Sequence, residues 1–429
     1  MSDAMVSAAQ RDVPPQYCDV IVIGAGPAGL STATALRESG VGSVVVLDRE
    51  SQAGGIPRHC GNPPFGMREF KRILTGPQYA AYLTKRAREK GVEIYLNCSV
   101  IALHSQGQLT ISTVLGAMQI SAKRVVICTG VRETPRSTRL VSGQRPLGIS
   151  TTGALQSMVY LKGKRPFKRP IIVGTELVAF SALLTCRKAN IKPVAMIEQA
   201  GKTSAYGVCD LLPRIMGVKL YKNCQLLSIE GSQRVSAVNI MTADGSTRRI
   251  DCDGVLFSGQ FTAEASLIRM SHLAFDEQTG LPVVDQFGQC SDAHYYAVGN
   301  LLHPVETAGW CWQEGQIAAA NISQSLLEPS KCERKEQQGI ALTLCSDKVS
   351  YITPQRFSNV DLANLSGSFQ LRFVKAAKGI LSVQQGGAVL WSKKDNYLPH
   401  RRILIPFQSI ENKVGFESNQ ALEIHFTEQ

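Results

Sequence analysis

The stretch "CDVIVIGAGPAGLSTATALRESG" constrains this chain more than any other. Its first part, residues 18–24, is an apolar run rich in β-branched residues that enters "GAGPAG" without a polar linker. That order predicts a buried parallel strand meeting a tight turn. Gly24 allows the turn, Gly26 lets a pyrophosphate approach the backbone, and Gly29 lets the next helix pack close to the strand. The helix is expected from about Ala28 to Ser39, with Pro27 and Ala28 at its start, where N–H groups and the positive dipole end favour phosphate. A second strand, "SVVVLD", ends in Asp48 beside Arg49, and its carboxylate stands at the spacing expected of a ribose acceptor. A lone glycine fingerprint can be no more than a glycine-rich turn. Strand, glycines, helix, second strand and terminal acid in order point to a dinucleotide.

A second stretch, "PIIVGTELVAFSA" at 170–182, repeats the pattern incompletely. Gly174 is kept, Glu176 stands where the second glycine belongs, and Ala179 replaces the third. A carboxylate about 4 Å from a phosphate, at an effective dielectric near 20, costs roughly 4 kcal/mol, or about a thousandfold in affinity. The following strand, "KPVAMIE", still ends in an acid, Glu198, suited to a ribose. Glu176 is a candidate to cap its own helix N-terminus, occupying the anion site as an internal substitute, and a nicotinamide dinucleotide, NAD(P), is expected to bind here weakly or not at all. NAD(P) is therefore left open as a cofactor.

Two further segments bear on the first site. "AKRVVICTGVRETPR" (122–136), with Thr129 and Gly130, resembles the strand-ATG element of flavoproteins with two dinucleotide domains. "HYYAVGNLLHPVETAGWCWQEGQIAAANI" (294–322) resembles their late flavin motif. In that motif a Gly-Asp pair contacts the ribityl and phosphate region and a helix start faces the flavin ring. Here the pair is Gly299 and Asn300, so an amide replaces the acid, and Thr307, Ala308 and Gly309 begin the helix. The resemblance implies FAD as cofactor.

Residues 18–325 thus resemble the thioredoxin reductase-like class of FAD/NAD(P) flavoproteins. More narrowly, "GGIPRHCGNPPFG" (54–66), "LTGPQYAAYL" and "GNLLHPVETAGWCWQEG" are similar to the FAD subunits of hydrogen cyanide synthase and opine oxidase. The resemblance implies an α/β fold of two Rossmann-like three-layer nucleotide-binding domains, one inserted in the other. The expected parts are an FAD domain at 17–150 and 286–330 and an NAD(P)-like domain at 151–285. The sequence departs from the disulfide reductases of this class, which carry a redox cysteine pair. After Gly54 and Gly55 there is one cysteine, Cys60, and "GISTTGALQ" (148–156) has none. Cys60, with His59 beside it, is either a redox thiol or a cysteine that packs.

Beyond residue 330 the glycine motifs stop, and "SFQLRFV", "GILSVQQGGAVLWSKK" and "RRILIPF" alternate as strands do, with "QQGG" as a hairpin turn. Residues 340–429 are expected to form a small antiparallel β domain with a docking role, His400, Arg401 and Arg402 being candidates for contact with an acidic partner. The 12 cysteines are dispersed, Cys332 stands alone where relatives carry an iron–sulfur segment, and no metal site is expected. Cysteine usage and the lack of a signal-like apolar start suggest the reducing cytoplasm. The net charge of +12 suits acidic partners or a peripheral membrane contact, but no run of about five like charges suggests nucleic acid. No window of about 18 apolar residues suggests a transmembrane span. Three functions are consistent with these residues. The first is an FAD-dependent subunit of a multicomponent amine, amino-acid or opine-type dehydrogenase, taking a small-molecule substrate and working with a second oxidoreductase subunit or a quinone. The second is an NAD(P)H-dependent flavin reductase for a thiol, disulfide or quinone. The third is a noncatalytic FAD-holding electron-transfer partner.

Overall fold

The structure is a computed structural model that describes residues 13–205, 207–328, 339–358, 367–399, 401–410, 413–415 and 420–429. Cys332 and His400 lie outside the described residues. The chain folds into two compact units, one of Met1–Gly55, Tyr82–Gly130 and Ala263–Gln429, the other of Ile56–Ala81 and Val131–Thr262.

In the first unit the apolar run becomes the strand Tyr17–Ile23, which pairs in parallel with Val44–Leu47 on one side and Gly116–Ile127 on the other. Val20, Ile21 and Val22 are fully buried, as a strand covered on both faces requires. Glu93–Tyr95 extends the sheet beyond Val44–Leu47, and Tyr295–Ala297 adds a parallel partner to Gly116–Ile127. The seven-stranded sheet is completed by the antiparallel strands Gln108–Thr113 and Ser99–Leu103. The first helix, Pro27–Glu38, ends one residue before the expected Ser39, which is its C-cap. Its small residues admit the 20-residue helix Ala308–Leu327: a Cβ on Gly315 would stand 2.6 Å from Ala28 O and 2.9 Å from Ser31 Cβ. Ser31 Oγ donates to Trp312 O at 2.6 Å across this contact.

The same unit carries the C-terminal strands. Gly339–Leu344, Arg356–Ser358, Ala377–Gln385, Ala388–Tyr397 and Leu422–Glu428 form one sheet; Val349–Thr353, Ser368–Phe373 and Ile403–Pro406 form another. The pairing is antiparallel except between Gly339–Leu344 and Leu422–Glu428, which run parallel. That departure from the expected pattern is possible because the chain between those strands is long enough for a crossover. The expected hairpin turn is present, with Gly386 and Gly387 at φ 56° and 85°, values that glycine adopts without steric cost. Phe369, Leu371 and Phe373 share a buried face, and the rings of Phe357, Phe369 and Phe407 pack with centroids 4.8–5.4 Å apart.

The second unit repeats the strand order of the first in shorter form. Lys219–Tyr221, Ala195–Ile197, Pro170–Val173, Gly254–Phe257 and Ile149–Thr151 make an all-parallel sheet, with the helix Leu177–Lys188 following the strand that carries the second fingerprint. A smaller sheet holds Thr247–Asp251, Ala237–Met241, Gln225–Glu230 and Ser142–Gly143. Two Rossmann-like α/β units and a β-rich C-terminal part are the architecture.

Candidate functional site

The first fingerprint is built by three glycines with different jobs. Gly24 sits at φ +106°, and a Cβ there would lie 2.5 Å from Cys128 O. At Gly29 a Cβ would overlap Gly24 O, so the helix can pack only without one. At Gly26 a Cβ would meet nothing within 4 Å. This open cradle at the helix start, with no side chain capping the helix, is where a pyrophosphate fits. Asp48 accepts from Ala25 N at 2.7 Å and from Glu50 N at 2.8 Å, which fixes the acid at the end of its strand, with Arg49 exposed next to it. Gly54 N donates to Ala25 O at 2.8 Å, and a Cβ on Gly55 would be 2.8 Å from Gly26 Cα, so the double glycine folds against the cradle. Thr129 Oγ1 donates to Glu264 O at 2.7 Å, and Gly130, at φ +74°, leaves open space. Gly299, at φ +81°, approaches Ala28 so closely that a Cβ would lie 2.7 Å from the alanine's own. These residues fit a dinucleotide such as FAD.

The late motif forms a tight turn ahead of its helix. Both ends of the Asn300 amide hold Glu306, Nδ2 donating to its carbonyl at 3.1 Å and Oδ1 accepting from its N–H at 2.9 Å. One amide hydrogen and one carbonyl lone pair are left for a ligand. Thr307 is the N-cap of Ala308–Leu327 without a side-chain cap bond, so the first N–H groups, including those of Ala308 and Gly309, point out of the helix. The turn also brings the buried His303 to Glu314, Nε2 to Oε1 at 3.4 Å. Sequence reasoning missed this pair, because a bent turn followed by the second turn of a helix has no spacing that can be read from periodicity.

The Cys60 region lies in the second unit. Sγ donates to Gln156 Oε1 at 3.4 Å, so the thiol meets the short helix Thr152–Gln156 in the segment where the reductases place their cysteines. Burial, with Glu133 adding to it, pushes the Cys60 thiol up to about 12, which keeps it protonated at neutral pH. His59 is buried, its Cε1 3.9 Å from the position of a Gly153 Cβ. Glu133 was not singled out in the sequence. It accepts from Gly153 N at 2.6 Å, and burial raises its carboxyl above the ordinary range.

At the second fingerprint Glu176 is the N-cap residue of Leu177–Lys188, but its side chain makes no cap bond. The carboxylate turns back onto the glycines: a Cβ on Gly174 would be 2.6 Å from Oε2, and one on Gly259 would overlap the carboxylate. The expected role as an internal helix cap is thus replaced by a plug across the turn. Burial raises Glu176 to about 7, with Glu198 adding to the rise and Arg139 opposing it. Arg139 is braced beside it, donating to Ser258 O at 3.1 Å and Gly259 O at 2.5 Å. Glu198 is buried and already accepts from Thr175 Oγ1 and from Ala200 N at 2.9 Å. Glu198 is thus occupied by the protein itself, whereas Glu176 Oε2 is buried without a hydrogen-bond partner.

One group of possible metal ligands was not foreseen: Cys345, Glu423 and His425, with donor atoms within 4.8 Å of one another on the C-terminal sheet. The cysteine is exposed.

The family model described as pyridine nucleotide-disulphide oxidoreductase matches residues 18–318. An opine oxidase subunit of Rhizobium meliloti (strain 1021) is 24% identical over 297 residues, covering 67% of this chain and 62% of the relative's length. The ferredoxin–NAD(+) reductase component of the p-cumate 2,3-dioxygenase system of Pseudomonas putida is 23% identical over 330 residues, 72% of this chain and 74% of that one. Among solved structures, the thioredoxin reductase of T. acidophilum superposes with a TM-score of 0.62 at 23% identity, covering 73% of this chain and all of that one.

Proposed function

Because the chain belongs to the pyridine nucleotide-disulphide oxidoreductase family, a family of FAD-dependent oxidoreductases, we propose that it is the flavoprotein subunit of a multicomponent dehydrogenase. Its substrate would be an amine, amino acid or opine, and its electrons would pass to a second oxidoreductase subunit or a quinone. The observation that carries this reading is the Glu176 carboxylate lying across Gly174 and Gly259, where a second dinucleotide would place its phosphates. A weak or absent nicotinamide site leaves an organic substrate or a partner as the electron source. The protonated Cys60 and the lack of a second cysteine in the sequence around it argue in the same direction, against thiol–disulfide turnover. The opine oxidase relatives support the substrate class.

FAD, when bound, supplies the two-electron chemistry. The chain's residues do the rest: Gly26 opens the phosphate cradle, Asp48 ends the ribose-binding strand, and the N–H groups at Ala308 and Gly309 favour negative charge in front of them. His303 Nε2, 3.4 Å from Glu314 Oε1, ties the turn after Gly299 to the helix that follows it.

The test is anaerobic. Excess NADH or NADPH is added to the purified holoprotein and bleaching of the oxidised flavin band is followed. Slow or absent bleaching, with full reduction by dithionite, is the expected result. Rapid bleaching would overturn the reading in favour of an NAD(P)H-dependent reductase, to which the intact parallel sheet of the second unit is suited.

A further inference from the structure

The C-terminal strands reach the turn that precedes the helix Ala308–Leu327. Arg372 Nη2 lies 2.6 Å from Glu306 Oε1, and the two side chains are only 9% and 5% exposed. Gln370 Nε2 donates to the same oxygen at 3.0 Å. Both partners come from Ser368–Phe373, whose other face fills the aromatic core, so the strand cannot shift without disturbing that packing. Thr353 Oγ1 donates to Leu302 O at 3.3 Å, and the Arg402 guanidinium stands 3.4 Å from the Trp310 ring centroid. These contacts grip the turn at its start, at its end and in the first turn of the helix.

The turn needs holding. Val305 sits at φ +88°, a conformation that a β-branched residue adopts only when its surroundings impose it. Glu306, the next residue, has its backbone fixed by Asn300 and its side chain by Arg372. A buried ion pair is weak evidence for stability but is suited to fixing one arrangement.

We propose that Arg372 is a positioning residue through which the C-terminal β domain sets the helix start at Thr307–Gly309, and with it the redox potential of the bound flavin. The proposal rests on the reading that this helix start faces the flavin. It gives the last part of the chain a role in tuning the cofactor, in place of docking alone. Charge sets the sign of the effect. Losing Arg372 leaves Glu306 buried as an uncompensated anion beside the helix start, which disfavours added electrons. Losing the Glu306 charge leaves the cation, which favours them.

The experiment measures the two-electron reduction potential of purified holoprotein by anaerobic dye-coupled titration in Arg372→Met, Glu306→Gln and Arg372→Lys, with near-UV dichroism to confirm folding. Arg372→Met should lower the potential by about 30 mV, a tenfold change for a two-electron couple. Glu306→Gln should raise it, and Arg372→Lys should stay near the parent. Opposite signs distinguish tuning from general loosening, which would move both variants the same way. Equal potentials, or shifts of one sign, overturn the proposal. If Arg372→Met does not fold, Glu306→Gln against Arg372→Lys decides it, since an unmoved potential in Glu306→Gln is equally fatal. Gly309→Asp tests the underlying reading separately by placing an anion at the helix start. An unmoved potential there removes the flavin-facing assignment itself, whereas movement there with none in the Arg372 and Glu306 variants removes only the role of the C-terminal domain.

Discussion

At Gly26 a side chain would enter open space, which separates its role from that of Gly24 and Gly29, where a Cβ would collide with the protein. Gly26→Val should therefore fold, with unchanged dichroism, while FAD affinity falls at least about a hundredfold because the branched side chain occupies the pyrophosphate position. Gly29→Val should fail to fold. Glu176 gives a prediction with a pH sign. Its carboxyl is raised from 4.5 to about 7, so it is largely protonated below that value and ionised above it. Only the ionised form repels phosphate. Whatever affinity the parent has for NADH should then fall by up to about tenfold between pH 6 and pH 8, and Glu176→Gln should flatten this dependence. Glu176→Gly should strengthen binding more than Glu176→Gln does, because it removes the side chain lying across the turn as well as its charge, of which the charge alone accounts for up to about tenfold at pH 8. Fluorescence titration with NADH across pH checks all three. Linkage adds a stability effect: because the folded value is the higher one, ionising Glu176 disfavours the folded state, and that loss grows as pH rises from 4.5 to about 7. Cys60, pushed up to about 12, carries roughly a thousandth of the thiolate of an ordinary thiol at pH 7. Alkylation mapped by mass spectrometry should label the exposed Cys345 long before Cys60.

Among the elements, the glycine-marked strands and helices were readable because a local rule dictates each of them. The apolar run before Gly24, the helix after it and the Gly386–Gly387 hairpin each follow from a few consecutive residues. What could not be read were pairings between distant elements. His303 meets Glu314, Glu306 meets Arg372, and Cys345 meets His425 only because a turn, a domain contact and a parallel strand pair bring them together. The pattern around Glu176 showed that the second glycine was replaced by an acid, but not that the side chain would fold back over two glycines and leave its helix uncapped. The parallel pairing of Leu422–Glu428 escaped for the same reason, since alternation gives a strand but not its partner. The C-terminal sheets depend on a shared aromatic cluster, so Phe369→Ala, which removes a fully buried ring between Phe357 and Phe407, should cost about 3–5 kcal/mol. Denaturant unfolding followed by near-UV dichroism would register the loss. If Arg372 positions the flavin-facing turn, the same variant should also disturb the flavin spectrum before the Rossmann-like units unfold.

For the whole molecule, the main physical fact is a net charge of +12 on 429 residues, without a basic run that would mark a nucleic-acid surface. Among the described residues no helix is long and apolar enough to cross a membrane. A charge of this size steers acidic partners and anionic small molecules toward the protein, accelerating encounter more than it tightens binding. If electrons leave the flavin for a second subunit or an external acceptor, the encounter step should carry this signature. Ferricyanide, a small anion, and an uncharged quinone analogue make the comparison, each used as acceptor with dithionite-reduced holoprotein. The second-order rate constant for ferricyanide should fall steeply as salt shortens the screening length from about 30 Å at 0.01 M to about 8 Å at 0.15 M. The rate for the neutral quinone should hardly change. Equal salt dependence for both would mean that the excess charge is spread too evenly to act at the electron exit, and an acidic partner would then lose its electrostatic rationale. A steep dependence for the anion alone would favour a partner with an acidic docking face, to be sought by association measurements at low and high salt.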